Sequence, residues 1–305
     1  MTGLLLCGGT GDLGGRIAAR LAERGIPFRA LVRPTSDTAA LRALDAELAV
    51  GDLTDRPSLD RAVTGMTTVV TTANAVGRLL AGATDLSIDA VDRDGNIALL
   101  RAAEAAGVER FVFVSSAGLT DAMVRRAPFA AAKRTADDAV RASAMPTVVV
   151  RPAPLQDVWL AADSGLQLEK RRAVILGRGR APVSYVASDD VAEACVRLAL
   201  TDSPPAFVYA GGPEILTRHE VVTAFERETG ARFRRISVPR PVLAAGARVT
   251  RRRRPALASA MGAALTMDIE GAVVAPRDLR SLGIEPRATT RQIAEIVRAA
   301  TVRAG

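Results

Sequence analysis

Three glycines near the amino terminus have the spacing of a phosphate-binding turn. Gly8, Gly11 and Gly14 follow a short apolar run, and the pattern of an amphipathic helix begins within the same segment. Glycine lets a backbone approach a pyrophosphate closely, and the amino end of a helix offers unpaired N–H groups and a positive dipole end. The alternative is a tight strand-to-helix connection that binds nothing. We expect dinucleotide binding by a loop that comprises Gly8, Thr10, Gly11, Asp12, Leu13 and Gly14.

The residue that follows the second apolar run indicates which dinucleotide is preferred. Arg33 ends the segment Leu31-Val32-Arg33, where proteins of this architecture place a side chain against the adenosine ribose. An acid there binds a free 2′-hydroxyl, whereas the planar fork of an arginine can bind a 2′-phosphate in bidentate fashion. The sequence therefore predicts NADP(H) as cofactor. Chance placement of an abundant residue type is the alternative.

The ends of the third and fourth apolar runs supply further expected contacts. Asp52 and Leu53 would lie beside the adenine, where the Asp52 carboxylate could accept from the exocyclic amine. Thr72, Ala73 and Asn74 would line the ribose and the middle of the cofactor. Ordinary loop chemistry is the alternative at all five positions.

These loops need a parallel sheet to bring them to one edge. Short apolar runs alternate with helical patterns over the first 150 residues or so, which favours strands joined by crossover helices. The fold class predicted is α/β: a Rossmann-type, doubly wound parallel sheet with a smaller C-terminal substrate-binding lobe. The predicted strands of the sheet are Leu4–Cys7, Phe28–Val32, Glu47–Val50, Thr68–Thr72, Arg110–Ser115 and Thr147–Arg151, with main helices over residues 12–24, 88–106 and 128–143.

The alternation loosens after Pro152. We expect helices over residues 189–200, 217–229 and 289–301, and strands at Phe207–Ala210 and Phe233–Val238. This predicts a Rossmann domain over 1–152 and a smaller α/β lobe over 153–305 that packs on it and does not fold independently. A hydrophobic small-molecule substrate is expected in this lobe, near the apolar residues Trp159, Leu160, Leu166 and Leu168.

Composition excludes several kinds of protein. The 305 residues are 49% apolar and 24% charged, which is typical of a soluble globular chain. Although the net charge is +8, aromatic residues make up only 3%, too few for base-stacking platforms, so we expect no nucleic-acid partner. The dense run Arg251–Arg254 could touch phosphate or an acidic membrane face, but a solvated helix end is the favoured interpretation.

The remaining counts bear on location and on metals. No run approaches the roughly 18 apolar residues needed to cross a bilayer, and Met1-Thr2-Gly3 carries no basic leader, so we expect a cytoplasmic protein without a membrane span. With one histidine, His219, and two cysteines, Cys7 and Cys195, no metal site is expected. The cysteines should be core thiols, and His219 should be structural or solvated.

Several segments resemble a known family. The chain is similar to atypical short-chain dehydrogenase/reductases, and most of all to their NmrA-like, NAD(P)H-binding subgroup. The resemblance covers nearly the whole chain and is carried by CGGTGDLGGR at 7–16, LVR at 31–33, GDLTD at 51–55, DGNIALLRAAEAAGVERFVFVSSAG at 94–118, RPAP at 151–154, GGPEILTRHEVV at 211–222 and DLRSLGIEPR at 278–287.

The resemblance implies a catalytic helix but with one residue changed. Family members with ordinary dehydrogenase chemistry carry Tyr-x-x-x-Lys there, and this sequence has Phe129 and Lys133. Phenylalanine cannot transfer a proton. Only 2 of the 41 cationic residues are lysines, so chance is a poor explanation for Lys133. Isoflavone-reductase-like members use a lysine in this region as general acid/base, which implies that role for Lys133. The resemblance also implies that Ser115 presents its hydroxyl to a substrate carbonyl, while Tyr185 is a less favoured source of a phenol.

Three functions remain open on these residues. The first is an NADPH-dependent reductase that transfers hydride to a carbonyl, enone or quinone of a hydrophobic small molecule, with Lys133 in place of the usual Tyr/Lys pair. The second is a non-catalytic NADP(H)-binding redox sensor of the NmrA type, which the missing tyrosine favours. An epimerase or dehydratase is third, because those reactions also depend on the tyrosine. A homodimer is left open.

Overall fold

A computed structural model describes residues 3–84 and 86–304. Met1 and Thr2, on which the prediction about a leader rests, lie outside the described residues. The chain forms two compact units. The first comprises the residues up to Ser116 together with Pro128–Arg151 and Val191–Val208. The second comprises Ala117–Ala127, Pro152–Asp190 and the residues from Tyr209 onward. One junction between the units lies at Arg151–Pro152, and the division into 1–152 and 153–305 stays a prediction.

The strands of the described residues are, in chain order, β1 Leu4–Cys7, β2 Phe28–Val32, β3 Glu47–Val50, β4 Thr68–Thr71, β5 Arg110–Val114, β6 Thr147–Pro152, β7 Leu166–Gln167, β8 Arg172–Leu176, β9 Val183–Ser184, β10 Phe207–Ala210, β11 Ile215–Leu216 and β12 Arg234–Val238. The α-helices are α1 Asp12–Glu23, α2 Ala39–Ala43, α3 Arg56–Val63, α4 Val76–Leu80, α5 Asn96–Ala105, α6 Asp121–Arg126, α7 Pro128–Arg141, α8 Gln156–Trp159, α9 Ser188–Leu200, α10 Arg218–Thr229, α11 Arg240–Thr250, α12 Pro255–Glu270, α13 Arg277–Ser281 and α14 Thr289–Ala304.

The main sheet has seven strands in the order β10-β6-β5-β4-β1-β2-β3. Every neighbouring pair from β3 through β2, β1, β4 and β5 to β6 is parallel. Strand β10 continues this arrangement, because the N–H groups of Val149 and Ala153 donate to the carbonyls of Ala206 and Ala210. The order reverses between β1 and β4, which is where doubly wound sheets bind ligands at the carboxyl ends of the strands. The predicted Rossmann-type fold is confirmed.

Burial explains why these segments become strands. The first unit has a continuous apolar core in which β1, β4 and β5 contribute wholly buried residues, as expected of central parallel strands covered on both faces. Its members include Leu5, Leu59, Val69, Leu99, Phe111, Phe113 and Val149. Cys7 (1% exposed) and Cys195 (0% exposed) are core thiols as predicted, and burial raises the pKa of both.

The second unit has its own core, built from short strands and helices. Its buried residues include Leu160, Leu166, Ile175, Val183, Tyr185, Val221, Val222, Phe225 and Ile293, with Trp159 and Leu168 packed against them. In this unit α10 begins with a capping box, in which the Thr217 hydroxyl accepts from the N–H of Glu220 and the Glu220 carboxylate accepts from the N–H of Thr217. No described helix is long and apolar enough to cross a membrane.

One predicted helix begins differently from expectation. The segment predicted as a helix over 88–106 starts with a π-helix, Asp89–Gly95, before α5 continues it. π-helical turns are rare and occur frequently at functional sites. The widened turn places two polar residues, Asp92 and Asn96, in the interior with no exposed surface.

Candidate cofactor and catalytic site

The glycine loop is closed too tightly for any larger residue. Gly8 follows β1 with a φ of +88°, and the N–H of Gly11 donates to its carbonyl oxygen at 3.0 Å. A Cβ on Gly14 would lie 2.0 Å from that same oxygen, and a Cβ on Gly8 would lie 2.6 Å from Oγ1 of Thr72. These contacts leave a cradle of bare backbone between β1 and α1, which is the form that a diphosphate site takes.

The amino end of α1 faces this cradle without a side-chain cap. Its N-cap, Gly11, is extended and makes no capping bond with a side chain. The first N–H groups of any helix lack intrahelical partners, so this end can donate to an anion. The Asp12 side chain is 62% exposed, and its carboxylate forms an ion pair with Arg16 at 3.1 Å, one turn further along the helix. Thr10 is exposed and Leu13 partly so, in keeping with a loop at the surface of a site.

The end of β2 carries Arg33 at the same edge of the sheet. The register pairs Leu31 with Cys7, so the residues that follow β1 and β2 are neighbours. Arg33 is partly exposed. Asp52, after β3, is occupied locally: its carboxylate accepts from the N–H and the hydroxyl of Thr54 at 2.8 and 2.7 Å. Leu53 is only 8% exposed and belongs to the core. The side chain of Arg33 is therefore accessible to a ligand, whereas that of Leu53 is not.

The segment after β4 contacts the glycine loop directly. The N–H of Thr72 donates to the carbonyl oxygen of Cys7 at 3.0 Å, which continues the β1–β4 pairing into the loops. Ala73 is partly exposed and Asn74 is exposed, with its amide donating to the Thr72 carbonyl at 3.3 Å. The predicted cofactor residues Gly8, Thr72, Ala73 and Asn74 are thus brought together at one edge.

Lys133 lies inside the first unit rather than at its surface. It is 3% exposed, and its Nζ donates to the carbonyl oxygen of Val114, the last residue of β5, at 2.9 Å. The ammonium lies 4.7 Å from the centre of the Phe113 ring and 5.8 Å from that of Phe129, a cation–π arrangement. Burial lowers the pKa of Lys133, while the charges of Asp92 and Asp137 oppose that effect.

Asp92 is a site residue that the sequence did not point to. Its carboxylate accepts from the N–H of Ala75 at 3.0 Å, and its Oδ1 has no hydrogen-bond partner within the described residues. Burial raises the pKa of this carboxyl to about 6, against the opposing influence of Lys133. An acid four residues before Asn96 on an otherwise apolar helical face was the available signal.

Asn96 fixes this part of the site. Its Oδ1 accepts from the hydroxyl of Thr71 at 2.9 Å, and its amide donates to the carbonyls of Val91 and Ala73 at 3.0 and 3.3 Å. One side chain thereby ties the π-helix to the end of β4. The Asp92 carboxylate and the loop after β4 are held in a fixed relation as a result.

Ser115 follows β5, as expected, but its hydroxyl already has an acceptor. It donates to Oδ2 of Asp137 at 2.6 Å, and the residue is 5% exposed. Asp137 also accepts from the guanidinium of Arg151 at 2.7 and 3.1 Å. The result is a buried Ser–Asp–Arg network beside Lys133, and the Ser115 proton is engaged within it.

The second unit contains a small cavity of its own. It has a volume of about 50 Å³ and is lined by Trp159, Ser164, Leu176, Gly179, Ala181, Val183, Tyr185, Arg218, Ala264, Met267 and Asp268. Arg218 donates to the carbonyls of Trp159 and Ser164 at 2.7 and 2.9 Å. Tyr185 is 2% exposed, and burial raises its pKa although Arg218 opposes this.

Other predicted positions have structural surroundings. The Nε2 atom of His219 lies 3.0 Å from the carbonyl oxygen of Arg178, in the second unit. Trp159 lines the cavity, whereas Leu160 and Leu166 are core residues and Leu168 packs against that core. Within the described residues no cluster of His, Cys, Asp and Glu could hold a metal ion.

The chain is similar to known proteins. The family model described as "NAD(P)H-binding" matches residues 8–202. The ceramide reductase of Caulobacter vibrioides is 31% identical over 251 residues, which cover 80% of this chain and 76% of that protein. The photosystem II assembly factor Ycf39 of Trieres chinensis is 28% identical over 229 residues, 74% of this chain and 69% of that one.

Solved structures agree on the fold. The NADPH-dependent quinone oxidoreductase QOR2 of Escherichia coli, complexed with NADPH, superposes with a TM-score of 0.76. That comparison covers 96% of this chain and 99% of the other at 16% sequence identity. The expected cofactor class and family are confirmed. The glycine cradle, the strand order and the match over residues 8–202 together make this chain an oxidoreductase that belongs to the NAD(P)H-binding family.

Proposed function

We propose that the protein is an NADPH-dependent reductase that reduces a carbonyl, enone or quinone of a hydrophobic small molecule. The observation that carries the proposal is the buried ammonium of Lys133, held at the end of β5 by Val114 and flanked by Phe129. A buried charge is costly unless it is used or paired, and here it is retained where the family's tyrosine is absent.

The cofactor fits the residues present. The backbone cradle of Gly8, Gly11 and Gly14 would hold the diphosphate, and Arg33 would bind a 2′-phosphate. Thr72, Ala73 and Asn74 would line the ribose. Asp52 could still accept from the adenine amine with the lone pairs that Thr54 leaves free, whereas Leu53 would contribute only as support. When bound, NADPH supplies hydride to the electrophilic carbon of the acceptor.

Lys133 would provide the proton that completes the reduction. The product oxygen, or the α-carbon of an enone that has taken hydride at its β-carbon, needs one proton, and the Lys133 ammonium would give it in place of a phenol. Desolvation lowers the pKa of Lys133, which makes proton release easier. The negative charge of Asp92 raises this pKa and so favours the protonated ammonium before the reaction. Lys133 would be reloaded from solvent.

Ser115 has a supporting part in this proposal. Because its proton goes to Asp137, the hydroxyl oxygen can orient a neighbouring group, but its predicted bond to a substrate carbonyl would require the Asp137 bond to open. The same carboxylate binds Arg151, so the network can hold α7 against the end of β6.

The second unit would bind the substrate. Its cavity combines an apolar wall with the guanidinium of Arg218 and the phenol of Tyr185, as small-molecule sites usually do. Its volume of about 50 Å³ is far below the roughly 300 Å³ of a typical pocket, so it fits one end group of a substrate. A carbonyl or hydroxyl end on an apolar body matches this lining.

A non-catalytic redox sensor is the second candidate. Two observations favour it: the phenol is replaced by Phe129, and one relative, at 28% identity, is named an assembly factor rather than a reductase. In that case the cofactor would be held by the same glycine cradle, and Lys133 would serve only to bind the ribose hydroxyls.

Turnover separates these candidates. Purified protein would be mixed with NADPH and a panel of quinones, enones and aryl ketones, and loss of NADPH absorbance followed. The reductase predicts NADPH oxidation with at least one acceptor, abolished in Lys133→Met and unchanged in Lys170→Met, which alters the exposed second lysine. Tight NADPH binding by calorimetry with no oxidation by any acceptor would favour the sensor.

A further inference from the structure

Helix α11 has an apolar face that the rest of the described chain leaves uncovered. Leu243 and Ala247 on its other face are buried, whereas Val242 is 54% exposed and Val249 79% exposed. Ala245 is exposed as well. At 3.6 residues per turn, positions 242, 245 and 249 form one stripe along the helix.

Arginines surround the carboxyl end of this stripe. Arg248 lies within the last turn of α11, and Arg251–Arg254 form the exposed connection from α11 to α12. No acidic residue occurs between Arg240 and Met267 in the sequence, so this segment itself carries no acid that offsets the charge.

A separate segment adds to the same patch. The guanidinium of Arg251 donates to the carbonyl oxygen of Arg125 at 2.8 Å, which brings the exposed end of α6 beside the arginine run. The basic patch therefore comprises Arg125, Arg248 and Arg251–Arg254. Arg248 and Arg251–Arg254 lie close to Val249 in the sequence, whereas Arg125 is brought to the patch by the fold.

We propose that this surface docks on a lipid bilayer that carries anionic headgroups. Phosphate-bearing headgroups complement the six arginines, and the Val242–Ala245–Val249 stripe can enter the boundary between headgroups and acyl chains. A nucleic acid would use the arginines but leave the valine stripe in water, and the chain has few aromatic residues for stacking, so the bilayer is the better match. The contact is peripheral, since no described helix could span a membrane.

Vesicle co-sedimentation tests the proposal with the full chain. We expect binding to vesicles of phosphatidylcholine mixed with phosphatidylglycerol, no binding to phosphatidylcholine alone, and loss of binding as salt is raised. One arginine near an anionic surface contributes about a fivefold change in binding, so Arg252→Glu with Arg253→Glu should weaken it by more than about 25-fold. Val249→Ser, which leaves the charge unchanged, should also weaken it.

The matched control reverses two exposed arginines elsewhere in the same unit. Arg277→Glu with Arg298→Glu produces the same change in net charge, and should retain most of the binding because both residues lie outside the patch. Equal loss in both double variants would overturn the proposal, as would absence of binding to the anionic vesicles. The patch would instead be assigned to nucleic acid if two results occurred together. Val249→Ser would bind the vesicles as well as the wild type, and the wild type would show salt-dependent binding to a DNA duplex that Arg252→Glu with Arg253→Glu loses. Circular dichroism of each variant shows whether it is folded.

Discussion

Nζ of Lys133 and the carbonyl oxygen of Val114 are 2.9 Å apart, so the final residue of β5 fixes the one buried lysine of the described chain. This bond links the sheet directly to the catalytic position predicted on α7. It also means that the ammonium is oriented by backbone, whose position does not depend on any rotamer. A substitution that removes the amine of Lys133 therefore also removes this side-chain link between α7 and β5.

The first prediction concerns Lys133 itself. Lys133→Met should lower kcat by about 10²- to 10⁴-fold, the usual contribution of a general acid, while the fold is retained because an apolar side chain replaces a buried charge. Steady-state kinetics with NADPH and the best acceptor measure this. Lys170→Met is the control, because Lys170 is exposed. A Lys133→Met enzyme with normal kcat would refute the assignment.

The second prediction uses the pH dependence of stability. In the folded protein the pKa of Asp92 is raised from 3.8 to about 6, so folding favours the protonated acid. Stability should be highest below about pH 4 with respect to this group, and should fall by up to about 3 kcal/mol as pH rises through 6. Asp92→Asn should flatten this part of the curve. Urea unfolding across the pH range is the measurement, with the exposed Asp94→Asn as control.

Asp92 should also shift the pH–rate profile. The negative charge of Asp92 raises the pKa of Lys133, so its removal lowers that pKa further. If Lys133 must be protonated to act, the alkaline limb of the profile moves to lower pH in Asp92→Asn. A profile that stays in place would show that Lys133 is not the titrating acid.

The third prediction separates two adjacent glycines. A Cβ on Gly14 would lie 2.0 Å from the oxygen of Gly8, whereas the nearest atom to a Cβ on Gly15 is 3.6 Å away. Gly14→Ala should therefore lose NADPH binding and stability together. Gly15→Ala should keep binding and gain about 0.5–1 kcal/mol, because alanine is the better helix former. Calorimetry and thermal unfolding measure the two effects. Similar behaviour of both variants would contradict a tightly closed loop.

The fourth prediction tests the choice of cofactor. Arg33→Ala should weaken NADPH binding by about 10- to 100-fold, the value of a bidentate charge-assisted contact, and leave NADH binding nearly unchanged. Titration of both nucleotides into wild type and variant gives the answer. The assignment fails if the two affinities are equal in the wild type or if the variant retains its preference for NADPH.

The fifth prediction concerns Ser115. If its main role is the 2.6 Å bond to Asp137, Ser115→Ala should cost about 1–3 kcal/mol of stability and change kcat less than tenfold. Chemical denaturation and kinetics on the same preparation distinguish the two roles. A loss of kcat larger than that, with stability intact, would restore Ser115 as a donor to the substrate.

The sequence predicted the periodic parts of this protein well. Buried parallel strands have continuous apolar runs, so β1 and β2 have the bounds expected, and the ends of β4, β5 and β6 differ by a single residue. The edge strand β3 also has the bounds expected, although none of its residues is buried. Glycine spacing located the cradle because close backbone approach admits no other residue. These features depend on local chemistry, which a sequence displays directly.

Features that depend on tertiary placement were less accessible. Leu53 looked like a loop residue beside the adenine, but it packs in the core against the π-helix. Asp92 was not singled out from the sequence, and its burial is shown only by the three-dimensional structure of the π-helix. The pairing of Ser115 with Asp137 joins residues 22 positions apart, and nothing in their spacing indicates it.

Because Asp89–Gly95 is a π-helix, the burial of Asp92 depends on the number of residues in this segment. Because each residue turns a helix by about 100°, deleting one position from this segment would convert it to an ordinary α-helix and rotate everything before it by that angle. The acid now buried at position 92 would then point to solvent, although no side chain had been exchanged. Homologues that differ by a single-residue gap in this helix should accordingly differ in whether the carboxyl at this position is buried, even where every aligned amino acid is identical.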